Sequence, residues 1–321
     1  MTTMDDSAPR GIWSRVASVV SVVLLGISLV MTLARFTGFE ARPLAALIAF
    51  VPWMVWVAVG ALALAAVARA WIPAVAAALV LAVNVWWLSP LFTSEGSGEV
   101  EFTVVTLNAE YGEADAAQIV RLVEDSDASV LTIQELTPDL VERLDEAGLG
   151  ELLPHSVTRP QTNHAGIGLW SRTQIKAPQA LDVLSSWALR GEIVTTQGDL
   201  TVFAVHPLPP LPSGHVRWAE DMEALITVVD AARGPVLVAG DFNTTRDHAS
   251  FRRLQGLGFV DESDEAGAGL LFTFPEGGAV PPVIAIDHVL TRDAQWAAVA
   301  VRTVTITGTD HRALVVDYAA R

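Results

Sequence analysis

The sequence predicts three membrane-spanning helices followed by a layered α/β domain built on largely buried sheets. Uncharged apolar runs fill most of the first 93 of 321 residues, and a Gly/Ser/Glu-rich segment follows them. Beyond that segment, strand-like and helix-like patterns alternate, as in an α/β protein. The composition agrees, because 51% of the residues are hydrophobic and the mean hydropathy is +0.42, which is more apolar than an ordinary soluble protein.

The apolar runs cover about residues 16–34, 43–68 and 70–93, and Arg69 separates the second run from the third. Each run reaches the roughly 18–20 residues that a helix needs to cross a bilayer. A cleaved signal peptide would explain only the first run, whose apolar core is longer than such peptides have. Buried helices of a soluble protein are disfavoured by this length without charge. We therefore predict that residues 1–93 are a multi-pass anchor whose partner is the lipid bilayer.

Three crossings place the two ends of the chain on opposite sides of the membrane. Arg10, Arg15 and Arg69 then share one side, and Arg35 and Arg42 share the other. The positive-inside rule favours a cytoplasmic N-terminus by three arginines to two, so everything after the third span is predicted to be extracytoplasmic. Cysteine is absent from the sequence, which excludes disulfides and thiol chemistry.

The segment 94–100 is predicted to be a flexible linker, and residues 101–321 are predicted to form one globular domain. Of the 36 acidic residues 33 follow position 93, against 15 of the 20 basic residues, so this part carries a formal charge of −18. Lys176 is the one lysine of the sequence. Proteins that hold long nucleic acids usually have a basic footprint, so tight binding of duplex nucleic acid is not expected.

The sequence pattern of the domain predicts many strands and a few helices. Strand patterns cover residues 101–111, 128–136, 165–172, 200–207, 236–243, 281–290, 297–306 and 312–319. Helix patterns cover residues 114–127, 137–148 and 215–232. The second of these helices opens with Thr137 and Pro138, a good N-cap and first-turn pair, and closes with Gly148.

Polar residues able to bind a metal or a phosphate finish several of these apolar strands. They are Asn108, Glu135, His206, Asp241 with Asn243, and Asp287, and a loop before the last strand adds Asp310 and His311. In an extended chain Asp241 and Asn243 point the same way, although Gly, Asp and Asn are also common turn residues. Each residue taken singly fits a turn, a cap or a solvated strand end. Together, in one acidic domain, they indicate a functional site.

The motifs in this series resemble the endonuclease/exonuclease/phosphatase superfamily over about residues 101–321. They are Leu107-Asn108, Gln134-Glu135, the strand ending in His206, Gly240-Asp241-Phe242-Asn243, Ile286-Asp287-His288 and Thr309-Asp310-His311. Thr309 stands where the family most often has serine. The resemblance implies a two-sheet α/β sandwich, the DNase I-like fold, with the site at one end of the sheets. It also implies metal-assisted attack of water on a phosphorus centre.

The resemblance implies that Glu135 binds Mg²⁺ (or Mn²⁺), with help from Asn108 and Asp310. Hard oxygen ligands suit these ions, and no close His/Cys/Asp cluster has the spacing of a zinc site. A phosphate ester would bring negative charge into a site that is already rich in carboxylates. A divalent cation, together with imidazolium and amide donors, would offset that charge.

The resemblance also implies the catalytic roles. Asp241 would orient or deprotonate the attacking water, and Asn243 would hold the water or a phosphate oxygen. His311 would contact the phosphoryl oxygens, with Asp287 accepting its other N–H and fixing its tautomer. His206 matches a second family histidine and is a candidate general acid or phosphate contact.

The remaining histidines are predicted to lie outside the site. His288 is taken as a strand residue that faces the other way. The histidines predicted to be surface residues are His155, His164, His215 and His248.

We expect a membrane-anchored, metal-dependent phosphoesterase that acts on a lipid headgroup or a small organic phosphate. This superfamily shares one site among many substrates, so the fold does not choose between them. A nuclease is the first alternative. A catalytically inactive, membrane-anchored binding protein is the second, and the presence of Glu135, Asp241 and His311 disfavours it. A transporter subunit is disfavoured because no ionisable residue lies inside the predicted spans.

Overall fold

The computed structural model describes residues 11–93, 96–211 and 213–321. Arg10 and the first two residues of the predicted linker, 94 and 95, lie outside the described residues. Contacts group the chain into two compact units. One contains the chain up to Phe39 together with Phe50–Ser89, and the other contains Glu40–Ala49 together with Pro90–Arg321.

The N-terminal region is helical. Its helices are α1 (Ile12–Thr37), α2 (Leu44–Ile48), α3 (Met54–Val67) and α4 (Trp71–Leu88), with 3₁₀ turns at Val51–Trp53 and Ser89–Phe92. Within the first unit, α3 contacts α1 and α4 through small side chains, and Ala58, Ala61 and Ala65 are fully buried. The Ser21 hydroxyl donates to the Ala61 carbonyl at 2.8 Å. Small residues and hydrogen bonds of this kind allow close helix packing in a membrane.

Two described helices, not the three that we predicted, are long and apolar enough to span a membrane. They are Ile12–Thr37 and Trp71–Phe92. The predicted run 43–68 is divided, because residues 44–48 form a separate short helix and the apolar helix that follows, Val51–Val67, is shorter. Apolar residues suit a protein core as well as lipid, so composition alone did not reveal this break. The two long helices suggest a membrane region only weakly.

The second unit contains two mixed six-stranded sheets, which confirms the predicted two-sheet α/β sandwich. The first sheet has the strand order β11-β12-β1-β2-β4-β3 and the second has the order β5-β6-β7-β8-β10-β9. The strands are β1 (Phe102–Asn108), β2 (Val130–Gln134), β3 (His155–Arg159), β4 (Ile167–Ser171), β5 (Ile175–Leu181), β6 (Ala188–Thr195), β7 (Gly198–Val205), β8 (Val236–Asp241), β9 (Val260–Asp261), β10 (Asp287–Arg292), β11 (Trp296–Thr305) and β12 (Arg312–Ala320).

Helices cover the outer faces of both sheets. They are α5 (Ala116–Asp125), α6 (Pro138–Glu146), α7 (Leu149–Leu152), α8 (His215–Ala231) and α9 (Ala249–Gly256), whereas α10 (Glu262–Glu265) contacts β9 and β10 of the second sheet and β11 of the first. The first sheet packs on α5, α6 and α7, the second packs on α8 and α9, and a third apolar cluster fills the space between the sheets. The central strands are therefore buried on both faces, which explains their continuous apolar runs.

Strand direction brings the predicted polar residues to one end of the sandwich. β1 pairs parallel with β2, and β7 pairs parallel with β8, so the carboxyl ends of these strands lie side by side. β10 and β12 begin at the same end, because each runs antiparallel to a neighbour. Asp287 therefore begins a strand rather than ending one, since the predicted strand 281–290 starts only at residue 287.

Gly240 permits the close approach of β7 and β8 at this end. A Cβ atom at this position would lie 2.0 Å from the Val205 carbonyl oxygen, which is far inside van der Waals contact. The glycine of the Gly-Asp-Phe-Asn motif is therefore a packing requirement that places Asp241 directly beside the end of the neighbouring strand.

Candidate active site

Asn108 and Glu135 meet where the parallel strands β1 and β2 end. The Asn108 amide Nδ2 donates to Glu135 Oε1 at 3.3 Å and to Asp241 Oδ2 at 3.0 Å, so it links the two sheets. Glu135 Oε2 accepts the Tyr111 backbone N–H at 2.9 Å. Glu135 has a left-handed backbone with φ of 56°. A non-glycine residue in this region often marks a functional position, because the strain must be held by its surroundings.

Asp241 and Asn243 lie at the end of β8. Asp241 is 1% exposed, and its Oδ1 accepts the Asn243 backbone N–H at 2.7 Å. The Asn243 side chain donates to the Pro207 carbonyl at 3.0 Å, and its φ is 48°. The segment is thus both a turn and a site, with the turn formed around the carboxylate.

Two buried histidines keep Asp241 ionised. Burial raises the pKa of Asp241, but the charge of His311, with the hydrogen bond and charge of His206, outweighs burial and lowers the pKa to about 2. The Asp241 Oδ2 atom lies 3.5 Å from His206 Nε2 and 3.8 Å from His311 Nε2. A carboxylate with this low pKa is ionised across the physiological pH range and can accept hydrogen bonds there.

His206 follows β7 and is buried, with 4% of its surface exposed. Its Nε2 lies 3.9 Å from Glu135 Oε1, and its Nδ1 contacts the His164 carbonyl at 3.2 Å. Burial lowers the pKa of His206, whereas its hydrogen bond to Asp241 and the charges of Asp241 and Glu135 raise it, and the net shift is upward. The raised pKa favours the protonated ring, whose Nε2 faces the carboxylates of Asp241 and Glu135.

His311 and Asp287 form a buried ion pair. His311 Nδ1 donates to Asp287 Oδ2 at 2.8 Å, and this contact directs Nε2 towards Asp241 and Asp310. Burial lowers the pKa of His311, but the charges of Asp287 and Asp241 overcome burial and raise the pKa to about 10. His311 is therefore an imidazolium at neutral pH.

Asp310 and Glu110 form the more open side of the site. The Asp310 side chain is 39% exposed and lies 3.8 Å from His311 Nε2. The pKa of Asp310 is raised, first by burial and then by the charges of Glu135 and Asp241. The pKa of Glu110 is raised by burial and by the charge of Asp310. These carboxyl groups repel one another, which is the electrostatic setting that a cation relieves.

One tight cluster has the spacing of metal ligands but differs from the predicted ligand set. Ligand atoms of Asp241, Asp287 and His311 all lie within 4.8 Å of one another. His311 Nδ1 is held by Asp287 Oδ2 at 2.8 Å, and the charges of Asp287 and Asp241 raise the pKa of His311, so a metal ion here would have to displace a proton from the ring. The oxygen-only set of Glu135, Asn108 and Asp310 has the hard donors that a Mg²⁺-like ion prefers.

Thr309 is a site residue to which the sequence analysis gave no role. Its hydroxyl donates to the Asn108 carbonyl at 2.7 Å and accepts the His311 backbone N–H at 3.1 Å. The threonine therefore joins the loop before β12 to the end of β1. Its position next to Asp310 and His311 could have indicated a role in the site. Its hydroxyl makes contacts that a serine hydroxyl could also make.

His288 and His248 are both buried, at 3% and 1% exposure. His288 contacts Asp261 Oδ2 through Nδ1 and the Thr244 carbonyl through Nε2, each at 3.0 Å, so it faces away from the site as predicted. The surface position predicted for His248 is wrong. The sequence near His248 gives no sign of its burial, because the residue that covers it, Ala45, is about 200 positions away along the chain.

Arg172 and Arg246 form ion pairs with acidic side chains that are not site residues. Arg172 lies 2.7 Å from Asp127, and Arg246 lies 2.8 Å from Asp264. The positive charge within the described site therefore comes from histidine.

Comparisons with known proteins show the family and the fold. The sequence profile of the Endonuclease/Exonuclease/phosphatase family matches residues 105–311, which include all the site residues discussed above. No curated protein sequence matches the chain.

Several solved structures have a similar fold at low sequence identity. An endonuclease/exonuclease/phosphatase from Beutenbergia cavernae has 17% identity and a TM-score of 0.54, covering 69% of this chain and 72% of its own. The 3′-5′ exonuclease NExo of Neisseria meningitidis has 18% identity and a TM-score of 0.54, covering 68% and 99%. The Bacteroides thetaiotaomicron mannosyl-6-phosphatase Bt3783 has 15% identity and a TM-score of 0.50, also covering 68% and 99%. At these identities the similarity shows the fold alone.

Proposed function

Because the chain belongs to the endonuclease/exonuclease/phosphatase family, we propose that it is a membrane-anchored, Mg²⁺- or Mn²⁺-dependent phosphoesterase. Its substrate is a phosphate ester on a lipid headgroup or a small organic molecule. One observation carries the proposal, namely that Asn108 joins Glu135 to Asp241, beside two buried histidines. This cluster combines oxygen ligands, a candidate base and two histidines within 4 Å of Asp241.

Glu135, Asn108 and Asp310 hold the divalent ion in this proposal. Glu135 and Asp310 offer carboxylate oxygens, and Asn108 offers the amide Oδ1 that also accepts the Glu110 backbone N–H at 3.0 Å. The donor chemistry fits, because the pKa values of Asp310 and Glu110 are raised by burial and by neighbouring carboxylates. When bound, the ion supplies Lewis-acid polarisation of a phosphoryl oxygen. Tyr111 holds the Glu135 carboxylate through its backbone N–H.

Asp241 and the histidines carry out the proton and charge chemistry. Asp241 accepts a hydrogen bond from the attacking water and orients it, and Asn243 stabilises that carboxylate through its backbone N–H. His311 donates from Nε2 to a phosphoryl oxygen, because Nδ1 is held by Asp287. His206 is placed to donate a second proton or hydrogen bond on the same side of Asp241.

The charge of the domain favours a small or membrane-bound substrate. The part of the chain after position 93 carries a formal charge of −18, which opposes the binding of a long polyanion. Nuclease activity is the alternative, and the Neisseria exonuclease shows that a similar fold can carry it. A catalytically inactive binding protein is disfavoured, since it would not need Asp241 to be ionised between two protonatable histidines.

We expect the full-length protein in detergent to release phosphate or headgroup from phospholipids or small phosphate esters in Mg²⁺, and to leave supercoiled plasmid intact. Chelation and Glu135→Gln should each lower the rate by about 100-fold or more, because both remove charge stabilisation in the transition state. Glu124→Gln, a change at an exposed acid on α5, is the matched control and should leave the rate unchanged.

Plasmid nicking that requires both Mg²⁺ and Glu135 would identify a nuclease and contradict the substrate assignment. Inactivity of the unmodified protein on all three substrate classes would support the inactive binding protein instead.

The second compact unit also restricts the membrane topology. Residues 40–49 and 90–321 pack together in this unit, so both lie on one side of any bilayer. The chain between them must then cross an even number of times. If α4 spans, the apolar helix Val51–Val67 spans too, and its 17 residues have a length of about 25 Å, at the lower limit for a crossing. We propose an even number of crossings between these two segments, with the catalytic domain outside the cytoplasm.

Single cysteines test this topology, because the chain has none of its own. We expect Arg42→Cys and Ser97→Cys to react with a membrane-impermeant maleimide in intact cells. Arg69→Cys should react only after permeabilisation. Labelling of positions 42 and 97 from opposite sides would contradict the even number of crossings, and labelling of both only after permeabilisation would reverse the orientation.

A further inference from the structure

The segment Glu40–Ala49, which connects the first apolar helix to the next, is built into the catalytic unit. Ala45 is fully buried and belongs to the same apolar cluster as Trp218 and Phe251. His215 Nε2 contacts the Glu40 carbonyl at 2.6 Å. The Glu40 carboxylate accepts the backbone N–H of Ala249 in the first turn of α9. The segment therefore contributes apolar packing, a helix-end contact and main-chain hydrogen bonds to the domain.

His248 lies between this segment and the active-site loop. Its Nδ1 accepts the Thr245 backbone N–H at 3.0 Å, which requires that this nitrogen carry no proton. Its Nε2 then carries the proton and donates to the Ala45 carbonyl at 2.8 Å. Burial lowers the pKa of His248 to about 4, so the ring is neutral and both contacts persist at neutral pH.

The Thr245 end of this contact belongs to the loop that carries Asp241 and Asn243. Thr245 is two residues beyond Asn243, whose φ of 48° is held by contacts at both ends of the loop. The neighbouring Thr244 accepts the Trp218 indole N–H through its hydroxyl at 3.1 Å. The loop is therefore fixed by side chains from α8 and from the start of α9, and both of these pack against the segment.

We propose that the segment Glu40–Ala49 is a positioning element of the active site, acting through His248 on the loop of Asp241 and Asn243. The inference rests on the proposed phosphoesterase function only for its kinetic readout. The segment then has two roles, because it joins two helices of the N-terminal region and also orders the loop of Asp241 and Asn243. Removal of the first 93 residues would therefore remove part of the catalytic unit, and for this reason the tests use the full-length protein.

His248→Asn is the decisive variant. Asparagine keeps a side-chain acceptor for the Thr245 backbone N–H, but it is too short to reach the Ala45 carbonyl. We expect kcat on a chromogenic phosphodiester, bis-p-nitrophenyl phosphate, to fall by about tenfold with KM within about twofold, because a small misplacement of catalytic groups lowers the rate of the chemical step. His248→Gln keeps a donor for Ala45 and should retain more activity than His248→Ala. His155→Asn, on the edge strand β3, is the control and should behave like the unmodified protein.

Hydrogen exchange measured by mass spectrometry on the same samples does not depend on any reaction. In His248→Asn we expect faster exchange in residues 40–49 and, with it, in residues 241–247. Faster exchange in the segment alone, with kcat and the loop unchanged, would overturn the inference. An unmodified protein that is inactive on every ester would instead contradict the proposed function, and the exchange of residues 241–247 would still decide the positioning role.

Discussion

Asp241→Asn is expected to lower kcat by about 10³-fold while the protein remains folded. The substitution keeps the shape of the side chain but removes the ionised oxygen that faces His206 and His311. Loss of a general base typically costs about 10²–10⁴-fold, and loss of the charge also removes a contact that keeps His311 protonated. Steady-state kinetics of the full-length protein in saturating Mg²⁺ would measure the effect.

The matched control for this prediction is Asp317→Asn. Asp317 lies on β12 opposite Thr103, at the other end of β1, where it pairs with Arg302 and accepts the Thr103 hydroxyl. This variant should retain kcat. If Asp241→Asn kept more than a tenth of the activity while Glu135→Gln lost it, Asp241 would not be the group that activates water, and the metal ligands alone would account for catalysis.

The second large effect concerns the alkaline side of the pH profile. Burial opposes charge on His311, but Asp287 and Asp241 raise its pKa to about 10, above the ordinary histidine value of 6.5. His311 is therefore protonated in both the folded and the unfolded protein well below pH 6.5. In the folded site the proton is lost only as the pH rises through about 10. We expect kcat to remain level through neutral pH and to fall near pH 10.

Asp287→Asn should move this alkaline limb to lower pH, by about 1 to 3 units, because it removes the nearest negative charge from His311. Asp261→Asn is a matched control, since Asp261 forms a similar buried pair with His288 at 3.0 Å. The control should leave the position of the limb unchanged. An unshifted limb in Asp287→Asn would mean that another group limits the rate at high pH.

Much of the fold was predictable because its central strands are locally distinctive. Largely buried on both faces, β1, β2, β7 and β8 are mostly apolar, and each ends in a polar residue or is followed by one. The helices α6 and α8 were also predicted within about two residues, and the Thr137 hydroxyl indeed caps α6 by accepting the Leu140 N–H.

The strands β3, β5, β6 and β9 were not predicted. In β5 most side chains are exposed or half-buried, and Pro178 interrupts the strand pattern. β3 and β6 lack a continuous apolar run, and β9 has only two residues. Half-buried edges carry weak periodicity, so their pairing depends on neighbours that are distant in sequence.

The sequence by itself determined which polar residues are candidates for the site and that most of them lie at strand ends, since motifs such as Gly240-Asp241-Phe242-Asn243 are local. Only the tertiary structure decided that Asn108 joins Glu135 to Asp241, that His311 is held protonated, and that His248 is buried. It also decided that residues 43–49, read as the start of a membrane span, lie in the catalytic unit. The physical reason is that hydropathy and spacing record a residue's own preference, whereas burial, charge state and hydrogen bonding depend on partners brought together by the fold.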